Sequence, residues 1–115
     1  MKIFERLKDW RKNKGLDLVA YDKLTQAGNI AEELSELLLA PDTEKQIDAF
    51  ADVIIYSINA IEMAGYNAES VLSEVIREIE AREGQIINGK FYKEGVHKYR
   101  AKIGECKRWV QQLLM

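Results

Sequence analysis

The sequence predicts an all-α protein: an antiparallel helical bundle of four to five helices, with a short hairpin or loop near residues 85–93. Three observations carry this. Apolar residues recur three and four apart along most of the chain. The single proline and most of the seven glycines fall between those periodic segments. Only one short stretch abandons the helical period for paired β-formers around Asn88-Gly89.

Taken in order, residues 2–13 set Ile3, Phe4, Leu7 and Trp10 among charges at helical spacing, which predicts a short amphipathic helix. Gly15 and Asp17 punctuate. A second helix is expected from Leu18 to Ala40, its apolar side formed by Leu24, Ala27, Ala31, Leu34 and Leu38. Pro41-Asp42 ends it, and Asp42 or Thr43 is placed to cap the third helix, Glu44 to Ala64. That helix is apolar around most of its circumference, so it is expected to be enclosed by others. Gly65 is the expected stop, and Asn67 the cap of a fourth helix that ends at Gly84 and turns Val71, Leu72, Val75, Ile76 and Ile79 inward. In GQIINGKFYKEG, Asn88-Gly89 between Ile86-Ile87 and Phe91-Tyr92 predicts a hairpin or ordered loop. A last helix is expected from about Val96, packing through Tyr99, Ile103, Cys106 and Val110.

Composition bounds the function. At 115 residues there is room for one domain, 1–115, with one modest core. A net charge of −2 argues against binding of polymeric nucleic acid, which needs a clustered basic surface. No apolar run is long enough to span a bilayer, and the N-terminal stretch reads as a helix rather than a signal peptide. With Cys106 as the only cysteine, no intrachain disulfide can form, and a cytoplasmic location is the expectation.

Two acidic stripes stand out. On the second helix Asp22, Gln26, Asn29, Glu33 and Glu36 fall within about 80° on a wheel of 100° per residue. On the third, Asp48, Asp52, Tyr56, Asn59 and Glu62 span roughly 120°. Neither contains a lysine or arginine, although the chain holds 17. An acidic stripe is ordinarily just the solvated face of its helix. Two stripes facing each other would instead repel unless a cation lay between them, and Mg2+ is the natural one for carboxylate oxygens and phosphates.

The string Glu32-Glu33-Leu34-Ser35-Glu36-Leu37, followed by Asp48-Ala49-Phe50-Ala51-Asp52-Val53, resembles the MazG-like family of the all-α NTP pyrophosphohydrolase superfamily. Dimeric dUTPases and phosphoribosyl-ATP pyrophosphohydrolases belong to the same superfamily, whose signature is EExxE followed by ExxD. Downstream, SEVIREIEAREGQIINGKFYKEG resembles a phage and bacterial branch of the group. The likeness runs from about Gln26 to Lys93. It implies cleavage of a nucleoside triphosphate between the α and β phosphates, giving monophosphate and pyrophosphate. It also implies that Glu33, Glu36 and Asp52 bind Mg2+. Ala49 departs from the pattern by standing where the second motif has glutamate. Asp48, one turn before Asp52, is the substitute, as in an Asp-Ala-x-x-Asp variant of that branch. Glu32 is implied as a further ligand or as the group orienting water, and Glu32 or Glu36 as the base. Arg82, Lys90 and Lys93 are expected to bind pyrophosphate. Gln26, Asn29 and Asn59 are expected to contact metal, sugar or base, with internal hydrogen bonding as the bland alternative.

A homodimer or homotetramer is expected, both from the family and from a third helix that one thin bundle covers poorly. Two other readings remain: a catalytically inactive helical interaction module, supported by Ala49, and an enzyme like phosphoribosyl-ATP pyrophosphohydrolase. His97, the only histidine, is expected near solvent on the last helix, and Cys106 in its core face. Trp10 and Trp109 are expected in the core or at subunit contacts, with Trp10 the better candidate for stacking on a base.

Overall fold

A computed structural model describes residues 2–95 and 98–114. Its described residues form an all-α fold: five helices, α1 (Ile3–Asn13), α2 (Lys23–Leu39), α3 (Thr43–Met63), α4 (Ala68–Glu80) and α5 (Arg108–Leu114), with one two-stranded sheet. No helix among them is long and apolar enough to cross a membrane. Contacts group the chain into two compact units, Met1–Tyr66 and Asn67–Met115.

The first unit is built on the α2–α3 hairpin. A three-residue connection, Ala40 to Asp42, leaves the helices no arrangement but antiparallel neighbours. Asp42 caps α3 by accepting a hydrogen bond from the Lys45 amide at 2.8 Å. At the other end Gly65 adopts φ +92°, and the Gly65 and Tyr66 amides close back onto the carbonyls of Glu62 and Ile61. This pair of bonds is a Schellman stop, which needs the left-handed residue that glycine supplies.

Four expectations change here. The second helix begins at Lys23 rather than Leu18, after a 3-10 turn at Leu16–Leu18. Asp22 leaves the acidic stripe to become the N-cap, accepting from the Thr25 amide and hydroxyl. More consequentially, α2 packs with the opposite side from the one its leucines suggest. Leu24 and Leu38 are 75% and 86% exposed, and Ala27, Ala31 and Leu34 are exposed with them. Gln26, Ile30, Glu33 and Leu37, at four-three-four spacing, form its less exposed side. Nor is α3 enclosed: Ala49, Ile58 and Asn59 are buried, while Ile47, Phe50 and Ile54 are exposed. A single hairpin covers only one side of each helix, so the remaining apolar surface stays open within the chain.

In the second unit Asn67 caps α4, accepting from the Ser70 amide at 2.9 Å, and its own amide donates to the Cys106 carbonyl at 2.8 Å. Among the unit's described residues Ala68, Val71 and Cys106 are the buried ones. Ile76 and Ile79 are half-exposed instead of inward. The helix stops at Glu80, and Gly84 lies in a strand. Strands β1 (Glu83–Ile87) and β2 (Lys90–Glu94) pair antiparallel around Asn88-Gly89, both at positive φ, which is the expected two-residue hairpin. Gly84 is required there because a Cβ would come within 2.0 Å of the Tyr92 carbonyl oxygen.

The last helix is shorter than expected, a 3-10 turn at Ile103–Cys106 followed by α5. The chain from Tyr99 to Lys102 spends its hydrogen bonds on α4 instead. The Ala101 amide donates to Glu78, and the Tyr99 hydroxyl and Lys102 amide donate to Glu74. Trp10 and Trp109, 46% and 61% exposed, are not core residues, whereas Cys106 is buried as expected. Val96 and His97 lie outside the described residues.

Candidate functional site

On α2, Glu33 and Glu36 share a face at i,i+3; on α3, Asp48 and Asp52 do so at i,i+4. The hairpin brings the two pairs together. Glu33 is 9% exposed, and its Oε2 is buried with no hydrogen-bond partner. Burial first, then the charge of Glu36 and a side-chain hydrogen bond with it, then the charges of Asp52 and Asp48, push its carboxyl above the ordinary glutamate range. A buried carboxylate normally has donors around it; this one faces other carboxylates.

The oxygens of these carboxylates are all hard ligands, the set magnesium takes, and the unpartnered Glu33 oxygen is the atom a cation would satisfy. The residues therefore fit the ion in chemistry. Among the described residues no three acidic, histidine or cysteine groups already converge as metal ligands do. Position 49 also explains itself: Ala49 is 4% exposed, so its side chain lies inside the unit, while the adjacent Asp48 is exposed. Glu32 and Glu36 are exposed on α2.

Further along the same helices the acidic stripe of α3 meets a cation that sequence reading missed. Arg11 of α1 is 4% exposed and donates from Nη1 to Asn59 Oδ1 at 2.7 Å and from Nη2 to Glu62 Oε1 at 3.4 Å. The signal was present in α1, where Arg11 continues the four-seven-eleven row begun by the half-buried Phe4 and Leu7. Thus Asn59 and Glu62 are matched by a resident guanidinium, whereas Asp48 and Asp52 lie beside Glu33.

Beside Asn59 is a cavity of about 270 Å³, lined among others by Trp10, Gln26, Asn29, Tyr56 and Met63. It unites the three amides expected to contact ligand. Gln26 is partly committed, its Oε1 accepting from the Asp22 amide at 3.1 Å and its Nε2 lying 3.7 Å from Met63 Sδ.

The basic candidates belong to the second unit. Arg82 pairs loosely with Glu78 at 3.6 Å, and its buried Nε has no partner. Lys90 lies over the Tyr92 ring at 5.4 Å, and Lys93, opposite Gly84, is exposed. That unit also carries a polar hollow of about 490 Å³ lined by Ser70, Glu74, Glu105, Cys106 and Gln111 among others. Burial, then Glu74 and Glu105, push the Cys106 thiol up, away from a reactive thiolate. Comparison of the chain with family models, with curated proteins and with solved structures gives no match.

Proposed function

We propose that this protein is a magnesium-dependent nucleoside triphosphate pyrophosphohydrolase of the MazG-like type, converting a ribo- or deoxyribonucleoside triphosphate to the monophosphate and pyrophosphate. The observation that carries this reading is Glu33: buried, unpartnered at Oε2, and within reach of the charges of Glu36, Asp48 and Asp52. A solvated stripe would give no such atom, because water would satisfy it.

Glu33, Glu36, Asp48 and Asp52 would hold the metal. Bound there, magnesium supplies positive charge to the phosphates and makes a nearby water easier to deprotonate. The water oxygen bonds to the α-phosphorus as the bond from that phosphorus to the bridging oxygen breaks, and pyrophosphate departs. Glu32, or Glu36 where it is not bound to the metal, takes the water's proton; both are exposed. Asn29, Asn59 and Gln26, which line one cavity of the first unit, hold the nucleoside. The exposed apolar sides of α2 and α3 favour a homodimer or homotetramer, and a cytoplasmic setting suits the substrate.

The test is pyrophosphate release from a panel of ribo- and deoxyribonucleoside triphosphates with magnesium, beside Glu36→Ala. Pyrophosphate and monophosphate appearing together, and vanishing in the variant, supports the reading. Folded protein that turns over none of them overturns it in favour of a non-catalytic interaction module, with Ala49 as the residue to revert.

A further inference from the structure

Arg11 does more than neutralise a stripe. A guanidinium only donates, so the amide oxygen of Asn59 must be the atom facing it, and the orientation of that side chain is fixed by chemistry. With Oδ1 occupied at 2.7 Å and the residue 8% exposed, Asn59 has its Nδ2 donor left to offer the cavity it lines. Around it are the flat surfaces of Trp10 and Tyr56 and a second amide from Asn29. The place along the hairpin also matters. Asn29 precedes Glu33 by one turn, and Tyr56 follows Asp52 by one turn. A ligand ring in the cavity thus lies roughly 6 to 10 Å along the helix axes from the carboxylate cluster, the longer figure at Asn59, at 1.5 Å per residue. That spacing suits a ring joined through a sugar to a phosphate.

We propose that this cavity receives the nucleobase by a carbonyl edge, with Arg11 as a positioning residue that turns the Asn59 Nδ2–H to the base oxygen. The inference rests on the pyrophosphohydrolase reading for what lies at the other end of the ligand. It makes keto bases the preferred class. Adenine, which has no carbonyl, leaves the Asn59 donor poorly matched once the base covers it, a loss of roughly tenfold or more in affinity.

The experiment is a fluorescence titration of Trp10 in the full chain carrying Trp109→Phe, using uridine, guanosine and adenosine without magnesium. Uridine and guanosine are expected to perturb Trp10 emission, with adenosine roughly tenfold weaker or worse. Asn59→Asp keeps the partner of Arg11 but removes the donor, and is expected to weaken uridine and guanosine by about the same factor. Arg11→Met, checked for helicity by circular dichroism, releases the amide to turn and brings the three nucleosides towards parity. If Arg11→Met does not fold, Asn59→Asp decides alone. Unchanged Trp10 emission with every nucleoside, adenosine binding as well as uridine, or Asn59→Asp binding like the parent overturns the proposal. Pyrophosphate release without any change at Trp10 would remove this inference and leave the reaction. Nucleoside binding without turnover would do the reverse.

Discussion

Glu33 in the first unit and Glu74 in the second are both glutamates drawn mostly out of water, with opposite surroundings. Glu74 accepts from the Tyr99 hydroxyl at 2.6 Å, the Lys102 amide at 2.9 Å and Arg77 at 3.2 Å. The Tyr99 hydrogen bond first, then the Lys102 amide, hold its carboxyl below the ordinary range. Glu33 has an oxygen with no partner, other carboxylates nearby, and a carboxyl raised by burial and by those neighbours. One carboxylate has been provided for by the fold, and the other has not. A structural glutamate stabilises through its donors, whereas a glutamate buried against its own kind costs stability until something cationic arrives.

The contrast is broken most forcefully by charge removal. Glu33→Gln is expected to lower magnesium-dependent pyrophosphate release by roughly two orders of magnitude, the scale of losing a group that supports transition-state charge. Its thermal midpoint without metal should hold or rise. Glu74→Gln should leave turnover per folded molecule unchanged and lower the midpoint by a few degrees, read by calorimetry. If the two variants exchange these behaviours, the assignment of roles is wrong.

Magnesium sharpens the same comparison. Saturating ion should raise the midpoint of the parent and of Glu74→Gln by a few degrees and leave Glu33→Gln nearly unmoved, because a ligand stabilises only the state it binds. The pH dependence follows with opposite signs. Between the ordinary glutamate value of 4.5 and the raised value at Glu33, the folded, metal-free protein holds the extra proton, so stability falls as pH rises through that window. Glu74 contributes stability that is present above 4.5 and lost as pH falls through its lowered value. Denaturant midpoints of the parent and the two glutamine variants across pH separate these slopes.

The smallest effect concerns the hairpin that carries the site. Gly65→Ala meets no atom within 4 Å, so its cost is confined to the φ of +92°, about 1 kcal/mol. Urea unfolding measures it, and activity per folded molecule should not change.

Much of the local structure was legible because it depends on near neighbours. Asp42, Gly65 and Asn67 act as the cap, stop and cap that their chemistry suggests, and Asn88-Gly89 makes the turn that tolerance of positive φ predicts. That the two acidic stripes face each other was legible only in part. The absence of lysine and arginine hinted at it, but Asp22 dropped out as a cap and Arg11 entered from another helix. What a helical wheel cannot decide is which of two plausible faces packs. On α2 the row Gln26, Ile30, Glu33, Leu37 competes with a purer apolar row through Leu24 and Leu38, and within the chain the mixed row packs. The last helix was misjudged because Glu74 and Glu78 compete for the amides and the hydroxyl of residues 99–102, an interaction between distant positions that periodicity does not register.

The hairpin bears on how its lysines can be tested. Every residue of β1 and β2 is exposed, and with only two strands each keeps an open row of amides and carbonyls. Ile86, Ile87, Phe91 and Tyr92 flank those rows, the composition from which chains add to one another strand by strand. Lys90 and Lys93, which the sequence offers as phosphate partners, are then gatekeepers of those edges. An alanine at either position therefore tests phosphate binding and removes a guard against self-association in one step. Lys90→Glu keeps the edge charged while reversing what it attracts, and so separates chemistry from clumping.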